Sequence, residues 1–307
     1  MIEIAVMIEG QNGLTWKRWQ RLARAVEDLG FVGLFRSDHY TNADPPDMDS
    51  LELWVSLTWL ASHTQRIQFG SLVSPLSFRH PTMTARMATA VDDLSGGRLV
   101  LGLGAGWQER EHTHFGFSLL DIKERFRRFE EGLEVITRLM SSDEPVDFQG
   151  KYFNLKDAIL LPRPIRAGGP PILMGGNGER YPLPLVAHYA SEWNAVFIGA
   201  KEFQRLDTRL DELLQTQGRS PKDVRRSLMT GCVFGRDRAE VNRKVEIRTQ
   251  GKSTVGDLSN RGLIVGTAPE IVEQLEKLEQ AGLQRIMLQW LDLDDLTGLE
   301  AMAKGII

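Results

Sequence analysis

Short apolar runs alternate with amphipathic stretches along nearly the whole chain. Eight apolar runs of strand length lie at residues 2–8, 31–35, 67–73, 98–103, 172–174, 192–197, 226–233 and 284–289. Helical spacing of apolar residues covers 16–29, 81–94, 122–140, 201–217, 239–248 and 269–280. A further helix carries Leu53, Leu57 and Leu60 on one face, and Asp49 or Ser50 is its predicted N-cap. Strands that alternate with helices in this way indicate a parallel sheet.

Eight strands with helices between them predict a (β/α)8 barrel of the TIM type. The alternative is a doubly wound open sheet, but the first strand-to-helix turn reads EGQNGLT and lacks the G-x-G-x-x-G fingerprint. No linker is visible in the 307 residues, so we expect a single domain over 1–307. Two insertions interrupt the pattern. Residues 146–163 predict a hairpin, and the polar segment 249–266 predicts a mobile loop near the site.

Composition and charge argue against several classes of partner. Hydrophobic residues make up 42% and charged residues 25%, as in ordinary globular proteins. A formal net charge of −4 leaves no broad basic surface for nucleic acid or an anionic membrane. The N-terminal sequence predicts no signal peptide, and no segment approaches the roughly 20 apolar residues that span a bilayer. We expect a cytoplasmic protein, in keeping with the single cysteine, Cys232, which lies in an apolar run and indicates a structural residue.

A glycine-rich turn interrupts the fifth apolar run. Gly175, Gly176, Asn177 and Gly178 follow that run directly, and a helix-like segment comes after them. A strand, a glycine turn and a helix start aim backbone N–H groups at an anion, and glycine admits the close approach. The turn therefore predicts a phosphate site and a phosphorylated cofactor. A tight turn without a ligand is the alternative.

Polar and small residues gather where the predicted strands end, which is where the active site of a βα barrel lies. His39 can exchange a proton near neutral pH, and Trp107 offers an aromatic face with an N–H donor. Glu109 and Glu111 are candidate catalytic carboxylates, or else solvated residues at a helix start. The candidate cofactor-binding residues at these ends, besides the glycine turn, are Asp38, Ser71, Leu72, Val73, Gly104, Gly106, Trp107 and Asn194.

Sequence motifs for covalent or metal chemistry are missing. There is no G-x-S-x-G elbow and no Walker A sequence, which removes the usual anchors of hydrolases and NTPases. Glu111, His112 and His114 match no metal-binding spacing, so we expect no metal. A bound cofactor that performs the difficult step is then the better account, with the protein supplying position and electrostatics.

These features together resemble the bacterial luciferase-like monooxygenase family, and within it the probable F-420-dependent oxidoreductases. The resemblance covers nearly the whole chain. Its carriers are MIEGQNGLTWKRWQRLARAVEDLGFVGLFRSDHY, IQFGSLVSPLSFRHPTMTARMATAVDDLSGGRLVLGLGAGWQEREHTHFG, PPILMGGNGER, ASEWN and GTAPEIVEQLEKLEQAGLQRIMLQ. It implies a βα barrel that uses reduced FMN or the deazaflavin coenzyme F-420, often as a homodimer. Met83 and Met87 are candidates for that interface or for the core.

The resemblance also implies roles for particular residues. His39 would lie at the reactive face of the cofactor ring, and a non-proline cis peptide at Leu72–Val73 would back the ring. Gly175, Gly176 and Asn177 would hold the cofactor phosphate, and Trp107, Glu109 and Glu111 would lie near the ring or the substrate. The chain departs from the pattern at 180–184, where Pro182 and Pro184 must shorten or delay a helix that runs smoothly in relatives.

Three functions fit this sequence. The first is hydride transfer between coenzyme F-420 and a small organic substrate, with His39 and a glutamate managing protons. The second keeps the fold but uses reduced FMN and molecular oxygen, as alkanesulfonate-type monooxygenases do. The third is a flavin-binding or barrel protein without catalysis, which stores a ligand or binds a partner.

Overall fold

Eight parallel strands close into a barrel in the computed structural model, which describes residues 2–307. The strands of the barrel are β1 (Glu3–Ile8), β2 (Gly33–Arg36), β3 (Gln68–Ser71), β5 (Leu99–Gly104), β8 (Ile172–Gly175), β9 (Glu192–Val196), β10 (Arg225–Phe234) and β12 (Arg285–Gln289). Each pairs in parallel with the next around the ring, and the pairing of β12 with β1 completes it. The predicted (β/α)8 TIM barrel is confirmed, because every predicted apolar run coincides with one of these strands.

Helices and short extra strands surround and cap the barrel. The remaining strands are β4 (Ser74–Pro75), β6 (Val146–Gln149), β7 (Asn154–Ala158) and β11 (Ile264–Gly266). The helices are α1 (Trp16–Asp28), α2 (Leu53–His63), α3 (Pro81–Leu94), α4 (Glu109–Phe115), α5 (Ile122–Ser141), α6 (Pro182–Tyr189), α7 (Ala200–Thr216), α8 (Arg238–Thr249), α9 (Val255–Asn260), α10 (Ala268–Gln280) and α11 (Leu296–Ile306). Antiparallel pairing of β6 with β7 confirms the predicted hairpin.

The first helix shows how local sequence sets these elements. Thr15 caps α1, and its side chain accepts a hydrogen bond from the backbone N–H of Arg18. One face of α1 is buried, and Trp19 on that face donates from Nε1 to the backbone oxygen of Ser56 at 3.0 Å. The helix stops before Gly30, which adopts the left-handed backbone conformation (φ +92°) that favours glycine. Apolar spacing and capping residues thus fix α1 against the outside of the barrel.

Alternate side chains of the strands fill the barrel in layers. The middle layer is apolar and comprises Ala5, Met7, Phe35, Leu72, Val100, Leu173, Met229 and Met287. At the N-terminal end, buried Arg285 forms ion pairs with Glu192 at 3.0 Å and with Glu3 at 2.8 Å. At the C-terminal end, Gln289 donates a hydrogen bond to Glu9 at 2.7 Å. The apolar layer closes the interior, so a ligand can enter only from the C-terminal mouth.

The segment 249–266 is not the mobile loop that its polar composition predicted. It contains α9 and β11, and β11 pairs in parallel with the end of β10. Thr254 and Asp257 form a capping box at the start of α9. Leu258 and Leu263 are buried in a small cluster with α8. The prediction was wrong because a few well-placed apolar residues suffice to order a segment that is mostly polar.

Helix α2 corrects a second prediction. Its N-cap is Glu52, whose carboxylate accepts from the backbone N–H of Val55 at 2.7 Å, rather than Asp49 or Ser50. Ser50 instead donates from Oγ to the backbone oxygen of His39 at 2.8 Å. That bond ties the loop after β2 to the start of α2.

The outer helices of the barrel bear on three further expectations from the sequence. Met83 on α3 is 51% exposed, whereas Met87 is partly buried against the core. The sequence patterns also missed α11, which packs against α1 and α10. Within residues 2–307, every helix is too short or too polar to cross a lipid bilayer.

Two glycines set the spacing of β3 and β5. A Cβ on Gly102 would lie 1.9 Å from the backbone oxygen of Ser71, and one on Gly70 would lie 1.9 Å from that of Val100. We expect Gly102→Ala to lower the free energy of unfolding by about 3 kcal/mol, because neither backbone can move away within the closed ladder. Urea unfolding followed by circular dichroism measures this change.

The matched control is Gly256→Ala in α9, where the added Cβ would meet only the Thr254 hydroxyl at 3.7 Å. Alanine in a helix should leave stability unchanged or raise it by up to about 1 kcal/mol. Equal stability of the two variants would contradict the close approach of β3 and β5.

Candidate active site

His39 and Glu111 form the central contact of the barrel mouth. His39 follows β2, and Glu111 lies in the first turn of α4. The Glu111 carboxylate accepts from His39 Nδ1 at 2.9 Å and from the backbone N–H of Tyr40 at 3.1 Å. Because a carboxylate can only accept, Nδ1 carries a proton, and Nε2 of the ring makes no hydrogen bond within residues 2–307. The arrangement leaves Nε2 for a ligand.

The surroundings of His39 favour its charged form. Burial by itself lowers the pKa of His39, but the hydrogen bond to Glu111 and the charges of Glu111, Glu9 and Asp38 outweigh it. The pKa of His39 is therefore raised above its ordinary value. The imidazole therefore keeps its second proton, at Nε2, to a higher pH than an isolated histidine does.

Trp107 stands beside His39 at the rim. The two rings meet edge to face at 5.7 Å between centroids, and Trp107 is 62% exposed. Its neighbour Gly106 has a left-handed backbone (φ +85°), and a Cβ there would lie 2.9 Å from the Ser77 hydroxyl. Ser77 in turn contacts His112 Nε2 at 2.7 Å. These contacts fix the turn that presents the indole, so a large aromatic face is open to a planar ligand.

The bulge after β3 places Val73 beside the ends of β5 and β8. The Leu72–Val73 peptide bond is cis, as the family resemblance implied. Val73 packs where a Cβ on Gly104 would lie, at 2.6 Å, and it lies 3.7 Å from the Cβ position of Gly175. Glycine at 104 therefore makes room for the side chain that the bulge presents.

Asp38 and Ser71 are both engaged within the protein. Buried Asp38 accepts from the Ser74 hydroxyl at 2.7 Å and forms an ion pair with Arg79. Ser71 donates from Oγ to the backbone oxygen of Gly102 at 2.7 Å. Both were predicted to bind the cofactor. The structure gives Asp38 contacts that join the loop after β2 to the segment after β3, and it gives Ser71 a contact that joins β3 to β5.

The glycine turn after β8 presents fewer amides than the sequence predicted. The N–H of Gly176 donates to the backbone oxygen of Asn194 at 3.0 Å. The Asn177 side chain is also committed, because it donates to and accepts from the backbone of Val196 at 2.7 and 2.9 Å. The amides of Asn177 and Gly178 make no hydrogen bond within residues 2–307. They are the two that remain for an anion.

Helix α6 begins too far beyond the glycine turn for the N–H groups of its first turn to join the turn in binding a phosphate. It begins at Pro182, which has no N–H, and the Cβ positions of Gly176 and Gly178 lie 3.3 and 2.9 Å from the Pro182 ring. The predicted delay of this helix by proline is confirmed. The glycines of the turn thus also serve to accommodate that ring.

Comparison with known proteins places the chain in a family. Residues 2–255 match the model of the luciferase-like monooxygenases. The chain belongs to the luciferase-like monooxygenase family. It is an oxidoreductase of this class, which excludes the non-catalytic alternative.

Two relatives and one solved structure show the range of the family. The chain is 29% identical to 4-hydroxyprotoasukamycin monooxygenase of Streptomyces nodosus subsp. asukaensis, over 92% of this chain and 82% of that protein. It is 26% identical to the F420-dependent glucose-6-phosphate dehydrogenase of Kineococcus radiotolerans, over 92% and 81%. A solved F420-dependent secondary alcohol dehydrogenase superposes with a TM-score of 0.86 at 18% identity, covering 100% of this chain and 98% of that one. That structure shares the barrel fold.

The luciferase-like barrel separates the two candidate glutamates and buries a predicted ligand contact. Glu111 contacts His39, whereas Glu109 is exposed on the rim. Asn194 is buried, and its Nδ2 donates to the Ser227 hydroxyl at 2.9 Å. Sequence reasoning also missed Glu9, although its position directly after the first apolar run could have marked it as a mouth residue.

Replacing Glu111 tests the electrostatic coupling in this luciferase-like site. In Glu111→Gln the pKa of His39 should fall, because burial then acts without the neighbouring charge. The raised pKa in the folded state contributes stability that is full below the unfolded value of about 6.5 and is lost as pH rises through the folded pKa. NMR titration of the His39 ring and urea unfolding across this pH range measure both effects.

Glu109→Gln removes the same charge from an exposed position in the same turn of α4 and is the control. It should leave the titration of His39 nearly unchanged. An unaltered His39 pKa in Glu111→Gln would show that the pair does not set the protonation of this histidine.

Proposed function

We propose that this luciferase-like enzyme transfers a hydride between coenzyme F-420 and a small organic substrate. The observation that carries the proposal is the His39–Glu111 pair beside an exposed Trp107. Transfer of a hydride to or from a carbon that bears oxygen needs a group that moves a proton at that oxygen. His39 has a free Nε2, a raised pKa and a fixed orientation for this task.

The residues of the mouth suit a planar, phosphorylated cofactor. Trp107 and Val73 provide aromatic and aliphatic surface, and Gly104 makes room for the Val73 side chain. The amides of Asn177 and Gly178 suit one phosphate oxygen each. When bound, a deazaflavin supplies hydride transfer, whereas reduced FMN supplies reaction with oxygen.

A basic cavity adjoins the glycine turn and supports an anionic ligand. Its volume is about 490 Å³, and it is lined by Phe197, Arg248, Thr249, Lys252, Ser253, Leu258, Arg261 and Leu263. Three cations and no carboxylate line it. Phe197 follows β9, next to the Val196 backbone that binds Asn177. The positively charged lining of this cavity thus complements the negatively charged end of the cofactor or of the substrate.

The proton chemistry follows from the fixed orientation of the imidazole. Neutral Nε2 accepts a proton from a substrate hydroxyl, and the imidazolium returns one to a carbonyl oxygen. Glu111 stabilises the imidazolium, and its contact with the Tyr40 N–H prevents the carboxylate from turning away. Asp38 does not take part in this exchange, because Ser74 and Arg79 occupy it.

Oxygenation with reduced FMN is the second candidate function. It is favoured by the 29% identity to a protein named as a monooxygenase, over 92% of the chain. The two functions differ in the cofactor that the mouth selects, so cofactor binding discriminates between them.

A fluorescence titration with each cofactor tests the proposal. F-420 should bind the apoprotein with a dissociation constant in the micromolar range and quench tryptophan emission. Trp107→Phe should lose much of the quenching, because Trp107 is the exposed indole at the mouth. Trp16→Phe, at the start of α1, is the control and should retain it. Binding of FMN alone would reverse the ranking of the two functions.

Replacing His39 tests its role in proton transfer. In His39→Asn the amide can still donate to Glu111, but no proton can be exchanged at the position of Nε2. We expect turnover to fall about a hundredfold or more, which is far more than the accompanying loss of stability, because the amide keeps a donor for Glu111. The assay follows F-420 absorbance with a panel of small alcohols and carbonyl compounds. His188→Asn on α6 is the control, and full turnover of His39→Asn would make His39 structural.

A further inference from the structure

Glu9 places a second carboxylate in the mouth, at the end of β1. It continues the inward alternation of Glu3, Ala5 and Met7 along that strand. Its Oε1 accepts from Gln289 Nε2 at 2.7 Å, and its Oε2 accepts from Gln11 Nε2 at 2.9 Å. One neutral amide therefore holds each oxygen of the carboxylate.

A chain of hydrogen bonds fixes this carboxylate. Ser37 donates from Oγ to Gln11 Oε1 at 2.7 Å, and the backbone N–H of Gly10 donates to Ser37 Oγ at 2.9 Å. Gln11 and Gln289 are both buried. Because the amides that bind it cannot swing into solvent, Glu9 keeps one orientation without a ligand.

Unlike its neighbours, Glu9 has no cationic partner in the part of the chain that the structure describes and can accept further hydrogen bonds. Asp38 on the same rim is neutralised by Arg79, and Glu111 is engaged by His39. Within residues 2–307, no lysine, arginine or histidine lies within 4.0 Å of the Glu9 carboxylate oxygens. A carboxylate can accept about four hydrogen bonds, and two are used here. The negative charge of Glu9 is one of the causes that raise the pKa of His39.

We propose that Glu9 is a substrate-binding residue that accepts a hydrogen bond from a hydroxyl or ammonium group of the substrate and disfavours a carboxylate or phosphate at that position. The mouth then has an acidic side and a basic side. Hydroxyl or ammonium groups of the substrate bind at Glu9, and anionic groups of the ligand bind towards Arg248, Lys252 and Arg261. Its part in substrate choice rests on the proposed function, but the binding preference is a property of the apoprotein as well.

Three probes of similar size and different charge test the preference. They are 2-aminoethanol, ethylene glycol and glycolate, each titrated at neutral pH into the protein with and without F-420. The ring resonances of His39, assigned by their loss in His39→Asn, report binding. We expect 2-aminoethanol to bind at least about tenfold more tightly than glycolate, with ethylene glycol between them. Glu9→Gln keeps the shape, removes the charge and should reduce this ratio to near one.

The control is Glu276→Gln, which removes the same charge from an exposed position on α10 and should keep the ratio. Glu9→Gln should also lower the pKa of His39, a readout that needs no turnover. Absence of 2-aminoethanol binding in the parent protein, or a ratio that persists in Glu9→Gln, would overturn the proposal. Failure of F-420 to bind would count against the proposed function alone, because the probe ratio is measured without cofactor too.

Discussion

The closed parallel ladder of the barrel is the constraint on which the site depends. All eight strands run in one direction, so their C-terminal ends meet at a single rim. Closure brings β12 beside β1 and thereby places Gln289 against Glu9. The same geometry joins His39 and Glu111 across 72 positions of sequence. No local element brings these pairs together, so any loss of ring closure would disperse the whole mouth.

The parallel pairing of the barrel is interrupted between β3 and β4. Pairing of β3 with β5 ends at Gly70, the chain turns through Leu72–Val73, and pairing resumes where β4 meets β5. Glycine on both strands permits this close passage. A bulge, rather than a regular strand end, therefore lies at this point of the mouth, and its Val73 side chain packs against Gly104 of β5.

Three carboxylates at the rim show how environment sets the task of a residue type. Asp38 is neutralised by Arg79 and organises loops. Glu111 shares a hydrogen bond with an ionisable ring and so controls the charge of His39. Glu9 is held by neutral amides and keeps its charge for the mouth. The partners, more than the depth of burial, separate these tasks, because only a cation removes the field of the carboxylate.

Periodicity along the sequence determined the order of strands and helices and with it the barrel, and the family resemblance indicated the Leu72–Val73 cis bond. The order of strands and helices is local in origin, since apolar spacing and glycine or proline positions act over a few residues, whereas the cis bond was indicated by the resemblance and by no local pattern. Tertiary structure alone decided between Glu109 and Glu111, which lie about 200° apart on one helix, so that docking of α4 selects the inward one. Tertiary structure also decided that the Gly176 amide bonds to Asn194 and that two amide side chains bind Glu9. These contacts could not be predicted from the sequence, because hydrogen bonds between distant segments leave no periodic pattern in the chain.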